Sequence, residues 1–324
     1  MYWKNKLITV LALSFITGGC SSFQNGFLGF APVGDKKAYL QAREAYSQGN
    51  YQQAIEALTT YVYKTHNVRR REERAYRLIG NSYEKLGNLD KALEVYLEAL
   101  EFHPRNVPLL IAAADLYQRT ELLDRSQQLY ERALKEDGNN LQALSGLAYN
   151  YYLTGFDSKA REFYDRFFAV SPNASPLHRA RYAQTFLRQR NYENSFIHIT
   201  QALTEDNENA AFWLVSARSL HGLGKTQEAL EHLETALLLL PENQEFLATK
   251  ALWLYEDQQY EQAYQTAQQI LDSIPRNQLA QLVQALCLYK KGNKKTAIDR
   301  LKQTEQLAPT SFVGKVAHGI VSQL

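Results

Sequence analysis

Residues 73–106 read ERAYRLIGNSYEKLGNLDKALEVYLEALEFHPRN. Apolar or small residues recur at helical spacing on both sides of Gly87-Asn88, and Pro104 ends the second run. The pattern predicts two short amphipathic helices joined by a tight turn. Neither helix can bury its apolar face alone, but a further copy stacked on each side can cover it. Self-similarity at a period near 34 residues therefore predicts a solenoid rather than a globule.

Two helices approach closely only where a side chain is nearly absent, so the small residues test the period. Position 8 of the unit is Ala42, Gly80, Ala114, Ala148, Ala183, Ala217, Ala251 and Ala285. Position 20 is Ala54, Ala92, Ser126, Ala160, Ser195, Ala229, Ala263 and Ala297. Gly49, Gly87, Gly155, Gly224 and Gly292 fall at the turn between the helices, and Pro104, Pro172, Pro241, Pro275 and Pro309 follow the second helices. Glycine suits a turn with positive φ, and proline a helix stop.

In this register Tyr76, Ile79, Gly80, Tyr83, Gly87, Ala92, Tyr96, Ala99 and Pro104 match the repeat pattern of a known family, and from about Asp35 to the C-terminus the chain resembles tetratricopeptide-repeat proteins. The resemblance implies an all-α fold, a right-handed α-solenoid of about eight helix-turn-helix repeats with a C-terminal capping helix. The repeats fill residues 35–311 as units at 35–68, 73–106, 107–140, 141–174, 176–209, 210–243, 244–277 and 278–311, and the capping helix takes 312–324. Arg69 to Glu72 are extra residues after repeat one. Their Arg69-Arg70-Arg71 run reads first as a solvated loop and alternatively as a contact for anionic lipid headgroups.

Ahead of the repeats, Lys4 and Lys6 precede a run from Leu7 to Ile16 broken only by Thr9 and Ser14. The charge, the apolar core and the small residues that follow predict a signal peptide over residues 1–19, because the run falls short of the roughly 20 residues a membrane span needs. Thr17-Gly18-Gly19-Cys20 resembles a bacterial lipobox, with Thr17 where leucine is usual. That resemblance implies lipidation of Cys20, and Ser21 in place of a retention aspartate implies an outer-membrane anchor facing the periplasm. Residues 20–34 then form the lipidated cysteine and a tether, unusual in holding Phe23, Phe27, Leu28 and Phe30. With Cys20 consumed, Cys287 lacks a disulfide partner and reads as a small buried hydrophobe.

A net charge of +2 gives no reason to propose nucleic acid as a partner. The seven histidines show no metal-ligand spacing, and no nucleophile motif occurs. Ser219 to Thr226, SLHGLGKT, ends like a phosphate-binding loop, but its Gly224 is the turn glycine of repeat six. We therefore expect no catalytic residue, cofactor or metal.

The family resemblance implies that positions 2, 5, 9, 12 and 13 of each first helix line a concave groove. Repeats one and two place Lys36, Arg43, Arg74, Arg77, Asn81 and Lys85 there, a basic end. Repeats four to seven place Tyr149, Tyr152, Leu187, Arg188, Leu214, Arg218, His221, Leu252 and Tyr255 there. Aromatics beside arginine are the residue types of protein-binding hot spots. Arg77 and Asn81 resemble the first members of the family's two-carboxylate clamp, but Pro108 and Ala112 occupy the next places and the clamp is absent.

The expected function is a membrane-anchored scaffold that binds a protein or peptide in its groove and serves an envelope machine. Repeats four and five resemble the lipoproteins that assemble tight-adherence (Flp) pili. An adaptor for peptidoglycan hydrolases and a glycan-binding module are the alternatives. Phe312, Val313, Val316, Ile320 and Leu324 along the last helix suggest a homodimer contact.

Overall fold

The computed structural model describes residues 33–64 and 72–323. The signal peptide, Cys20, the tether up to residue 32, the Arg69-Arg70-Arg71 run and Leu324 lie outside the described residues. The described chain is helical throughout: α1 (Val33–Ser47), α2 (Tyr51–Lys64), α3 (Glu73–Lys85), α4 (Leu89–Phe102), α5 (Val107–Arg119), α6 (Leu123–Glu136), α7 (Leu141–Leu153), α8 (Asp157–Val170), α9 (Pro176–Arg188), α10 (Tyr192–Glu205), α11 (Ala210–Gly222), α12 (Thr226–Leu239), α13 (Gln244–Glu256), α14 (Tyr260–Ser273), α15 (Gln278–Lys290), α16 (Lys294–Leu307) and α17 (Phe312–Val321). Helix α1 begins at Val33, two residues ahead of the expected repeat start.

Each helix packs on its neighbours in sequence, and successive first helices also touch along most of the array. The first helices consequently share the inner, concave side and the second helices the outer one. The close approach occurs where side chains are small. Position 8 is buried in every repeat, and all the position-20 residues from Ala54 to Ala297 are fully buried. Position 24 fills the space between: Leu58, Tyr96, Tyr130, Tyr164, Ile199, Leu233, Ala267 and Leu301 have no exposed surface.

The turns are uniform. Gly49, Gly87, Gly155, Gly224 and Gly292 have φ between 75° and 88°, and the three repeats without glycine there hold Glu121, Arg190 and Gln258 at φ of 59° to 63°. A common backbone thus persists where the sequence does not favour it. Asparagine starts the first helices: Asn106, Asn140, Asn209, Asn243 and Asn277 each accept a hydrogen bond from a first-turn amide. Such caps satisfy amides that the helix leaves without partners.

Cys287 is fully buried, and burial pushes its thiol pKa up to about 11. Helix α17 closes the core, with Val313, Val316 and Ile320 packed on Leu282, Ala285 and Leu301. Phe312 alone among its large apolar side chains remains 81% exposed. No helix of the described residues is long and apolar enough to cross a membrane.

Candidate functional site: the concave groove

The groove carries three distinct surfaces. At the basic end, Arg74 is exposed and Arg77 half-buried. Asn81 is committed to the fold: its amide oxygen accepts from the Tyr96 hydroxyl at 2.6 Å, and Glu84 approaches the same hydroxyl at 2.8 Å. Glu84 also pairs with Arg119 at 2.6 Å. Burial, with Glu84 second, drives the Tyr96 pKa well above the ordinary phenol value.

The second surface lies on α7 and α9. Tyr149 and Tyr152, one helical turn apart, stack with ring centres 6.1 Å apart and planes 14° apart. Two guanidiniums cover them: Arg181 sits 3.9 Å above Tyr149 and Arg188 sits 4.7 Å above Tyr152. Arg188 is fixed by donating to the Tyr152 carbonyl at 2.6 Å and by Asp157 at 3.3 Å. It is thereby a wall of the groove and an anchored cation, not a loose one. Arg181 occupies position 6 of its repeat, outside the positions that the family resemblance implies for the groove, and sequence reading missed it.

The third surface is an open pocket of about 590 Å³ formed by α9, α10, α11, α13 and α15. Leu187, Leu252, Leu279 and Ala248 make its apolar part, and Arg218, Glu245 and His221 its polar rim. Arg218 donates to Glu245 at 2.7 Å. His221 stacks on Trp253 with ring centres 4.4 Å apart and reaches Glu256 at 2.9 Å. Gly222 in the lining packs tightly on Tyr192, where an added Cβ would lie 2.3 Å from the ring.

The structure thus joins Arg188 to Tyr149 and Tyr152, and places Arg218 in the separate pocket. Tyr255 packs on Tyr260 at 5.6 Å and is not part of the pocket lining. Glu245, Trp253 and Tyr192 line the pocket without having been singled out in sequence. Glu245 stands at position 2, a groove position, and was legible; Trp253 and Tyr192 stand at positions 10 and 17 of their repeats, outside the groove positions. Among the described residues no group of three or more histidine, cysteine or carboxylate side chains could hold a metal.

Comparison with known proteins agrees with this architecture. A tetratricopeptide-repeat family model matches residues 39–107. Among solved structures, the chain is similar to one in the Cut9–Hcn1 hetero-tetramer of the APC/C (TM-score 0.57, 14% identity), covering 88% of this chain and 55% of that one. It therefore spans little more than half of that relative's length. A tetratricopeptide-repeat protein from Parabacteroides merdae is similar over 79% of this chain and 99% of its own (TM-score 0.56, 17% identity). YrrB, described as a tetratricopeptide-repeat protein with an unusual peptide-binding site, matches 60% of this chain and 98% of its own (TM-score 0.52, 17% identity). The fold is an all-α tetratricopeptide-repeat solenoid, an architecture whose curvature creates an extended concave surface suited to protein contacts.

Proposed function

We propose that this chain is a non-catalytic scaffold, lipid-anchored through Cys20 at the periplasmic face of the outer membrane, which holds a segment of a partner protein in its groove and recruits it to an envelope complex. The pocket between α9 and α15 carries this reading. It pairs apolar side chains with a charged rim and an indole-stacked histidine, the mixture that buries an anchor side chain and fixes its orientation. Pilus or secretion machinery is the machine we favour, on the likeness of repeats four and five to tight-adherence lipoproteins.

A photo-crosslinking residue placed at Ala248, on the pocket wall, should capture one defined envelope protein. The same residue at Gln303, exposed on the outer helix α16, should not. Capture of peptidoglycan strands instead would turn the reading into the glycan-binding alternative, for which the stacked Tyr149 and Tyr152 rings would provide the platform. Capture of nothing at Ala248 would remove the pocket from the proposal. For the anchor, Cys20→Ser should release the protein from the membrane fraction without altering its helical signal; membrane-bound, normally processed Cys20→Ser protein would end the lipoprotein reading. Self-association through α17 would rest on Phe312. A dimer in light scattering at tens of micromolar that Phe312→Ser abolishes supports it, and a strict monomer removes it.

A further inference from the structure

The tyrosine at position 24 recurs in repeats two, three and four, and the fate of its hydroxyl differs in one of them. Tyr96 donates to Asn81 or Glu84, and Tyr130 donates to Asp115. Asn81 and Asp115 both stand at position 9 of their repeats, facing the groove. In repeat four, position 9 is Tyr149 and position 12 is Tyr152, and neither ring supplies an acceptor. The Tyr164 hydroxyl is completely enclosed and has no hydrogen-bond partner among the described residues. An unsatisfied buried donor is destabilising. The titratable groups that face this hydroxyl are Arg181, Tyr149 and Tyr152.

Arg181 is the second feature at the same place. Three arginines of the groove's middle repeats have carboxylates: Arg119 has Glu84, Arg188 has Asp157 and Arg218 has Glu245. Arg181 lies on the Tyr149 ring and makes no ion pair with the described residues. A cation without a counter-charge and a hydroxyl without an acceptor thus meet beside a stacked aromatic pair. One kind of group answers both.

We propose that the α7–α9 surface is a subsite for a carboxylate side chain of an acidic peptide segment, paired with the Arg181 guanidinium and accepting a hydrogen bond from Tyr164. The hydroxyl is enclosed in the free protein, so a neighbouring side chain must move as the carboxylate enters, with Tyr149 and Tyr152 walling the peptide. The subsite uses none of the places of the family's two-carboxylate clamp, which here hold Pro108 and Ala112. The inference rests on the groove-binding reading and specifies the partner's chemistry.

The test uses the full chain in detergent on two immobilised pools of nonapeptides with blocked ends, random except for a central residue fixed as Glu in one pool and Gln in the other. Wild type should retain the Glu pool preferentially. Arg181→Gln should weaken that retention roughly tenfold or more, and Tyr164→Phe about fivefold, as expected for lost charged and neutral hydrogen bonds. Tyr164→Phe should at the same time raise the melting temperature of the free protein, which separates a binding loss from a folding defect. Equal retention of both pools, or retention indifferent to Arg181→Gln, overturns the carboxylate subsite and leaves groove binding standing. Retention of neither pool overturns both.

Discussion

Two tyrosines in equivalent places, Tyr164 and Tyr130, give opposite expectations. Tyr164→Phe removes a buried hydroxyl that has no partner and should stabilise the chain by about 1 kcal/mol. Tyr130→Phe removes the donor that Asp115 accepts from and should destabilise it by about 1 kcal/mol or more. Denaturant unfolding of the two variants compares them directly, and equal shifts would contradict this account of the position. Burial raises the Asp115 carboxyl above the ordinary carboxylate range, with the Tyr130 hydrogen bond opposing it. The tyrosine signature at these positions was visible in sequence as core. That the acceptor is missing only in repeat four was equally written there, in Tyr149 standing where Asn81 and Asp115 stand. It becomes readable once the structure shows that position 9 receives the hydroxyl from position 24.

At the scale of the element, two features separate what the sequence displays from what packing imposes. The five turn glycines announce their conformation, but Glu121, Arg190 and Gln258 adopt the same left-handed φ with no local signal; stacking of the flanking helices forces it. Replacing each by glycine should relieve backbone strain and stabilise the protein by about 0.5–1 kcal/mol per site. The gains should add, since distant sites act independently. A loss of melting temperature in all three would contradict it. Glycines inside helices divide the other way. At Gly80 an added Cβ would lie 2.1 Å from the Tyr96 ring, which is fully buried, whereas at Gly319 it would meet nothing within 4 Å. Gly80→Ala should therefore cost about 1–3 kcal/mol by overpacking, and Gly319→Ala should be neutral or mildly stabilising. Thermal unfolding of the pair reads the difference. The asparagine caps are legible as an Asn just ahead of five of the units, a signal independent of the small residues and turns that define the register.

Across the whole molecule, the titratable groups are distributed unevenly. His178, His198 and His232 have pKa values lowered chiefly by burial, with Arg181 adding to the effect at His178 and Arg179 at His198. They lie on α9, α10 and α12, packed against Phe167, Tyr182 and Trp213 respectively. A histidine held neutral in the fold contributes stability above its ordinary pKa of 6.5, and this is lost as pH falls below that value towards the lowered one. Asp115, on α5, has a raised pKa, so its contribution grows as pH falls. Acidification from about pH 7.5 to about pH 5.5 should thus loosen repeats five and six relative to repeats two and three. Hydrogen exchange corrected for intrinsic rates measures this, and uniform loosening along the solenoid would contradict it. The array itself was legible from one period, since nearest-neighbour stacking repeats one local solution. The groove was only partly so. Positions 2, 5, 9, 12 and 13 gave Tyr149, Tyr152, Arg188 and Arg218, but which of these share a surface depends on side-chain packing between repeats: Arg218 lines the pocket and Tyr255 packs on Tyr260, apart from the tyrosine pair.

On the proposed function, repeats four to eight, and not the basic end, hold the partner. Its most direct measurement is partner recovery from detergent-solubilised envelopes by three forms of the tagged protein: wild type, Tyr152→Ala with Arg218→Ala, and Lys36→Ala with Arg74→Ala. Each true hot-spot residue removed should cost about 2 kcal/mol or more of binding. The Tyr152 and Arg218 variant should keep its helical signal and melting temperature within a few degrees and lose most of the partner, while the Lys36 and Arg74 variant recovers it as wild type does. Undiminished recovery by the Tyr152 and Arg218 variant, with loss in the Lys36 and Arg74 variant, would contradict the claim and move the site to the first two repeats.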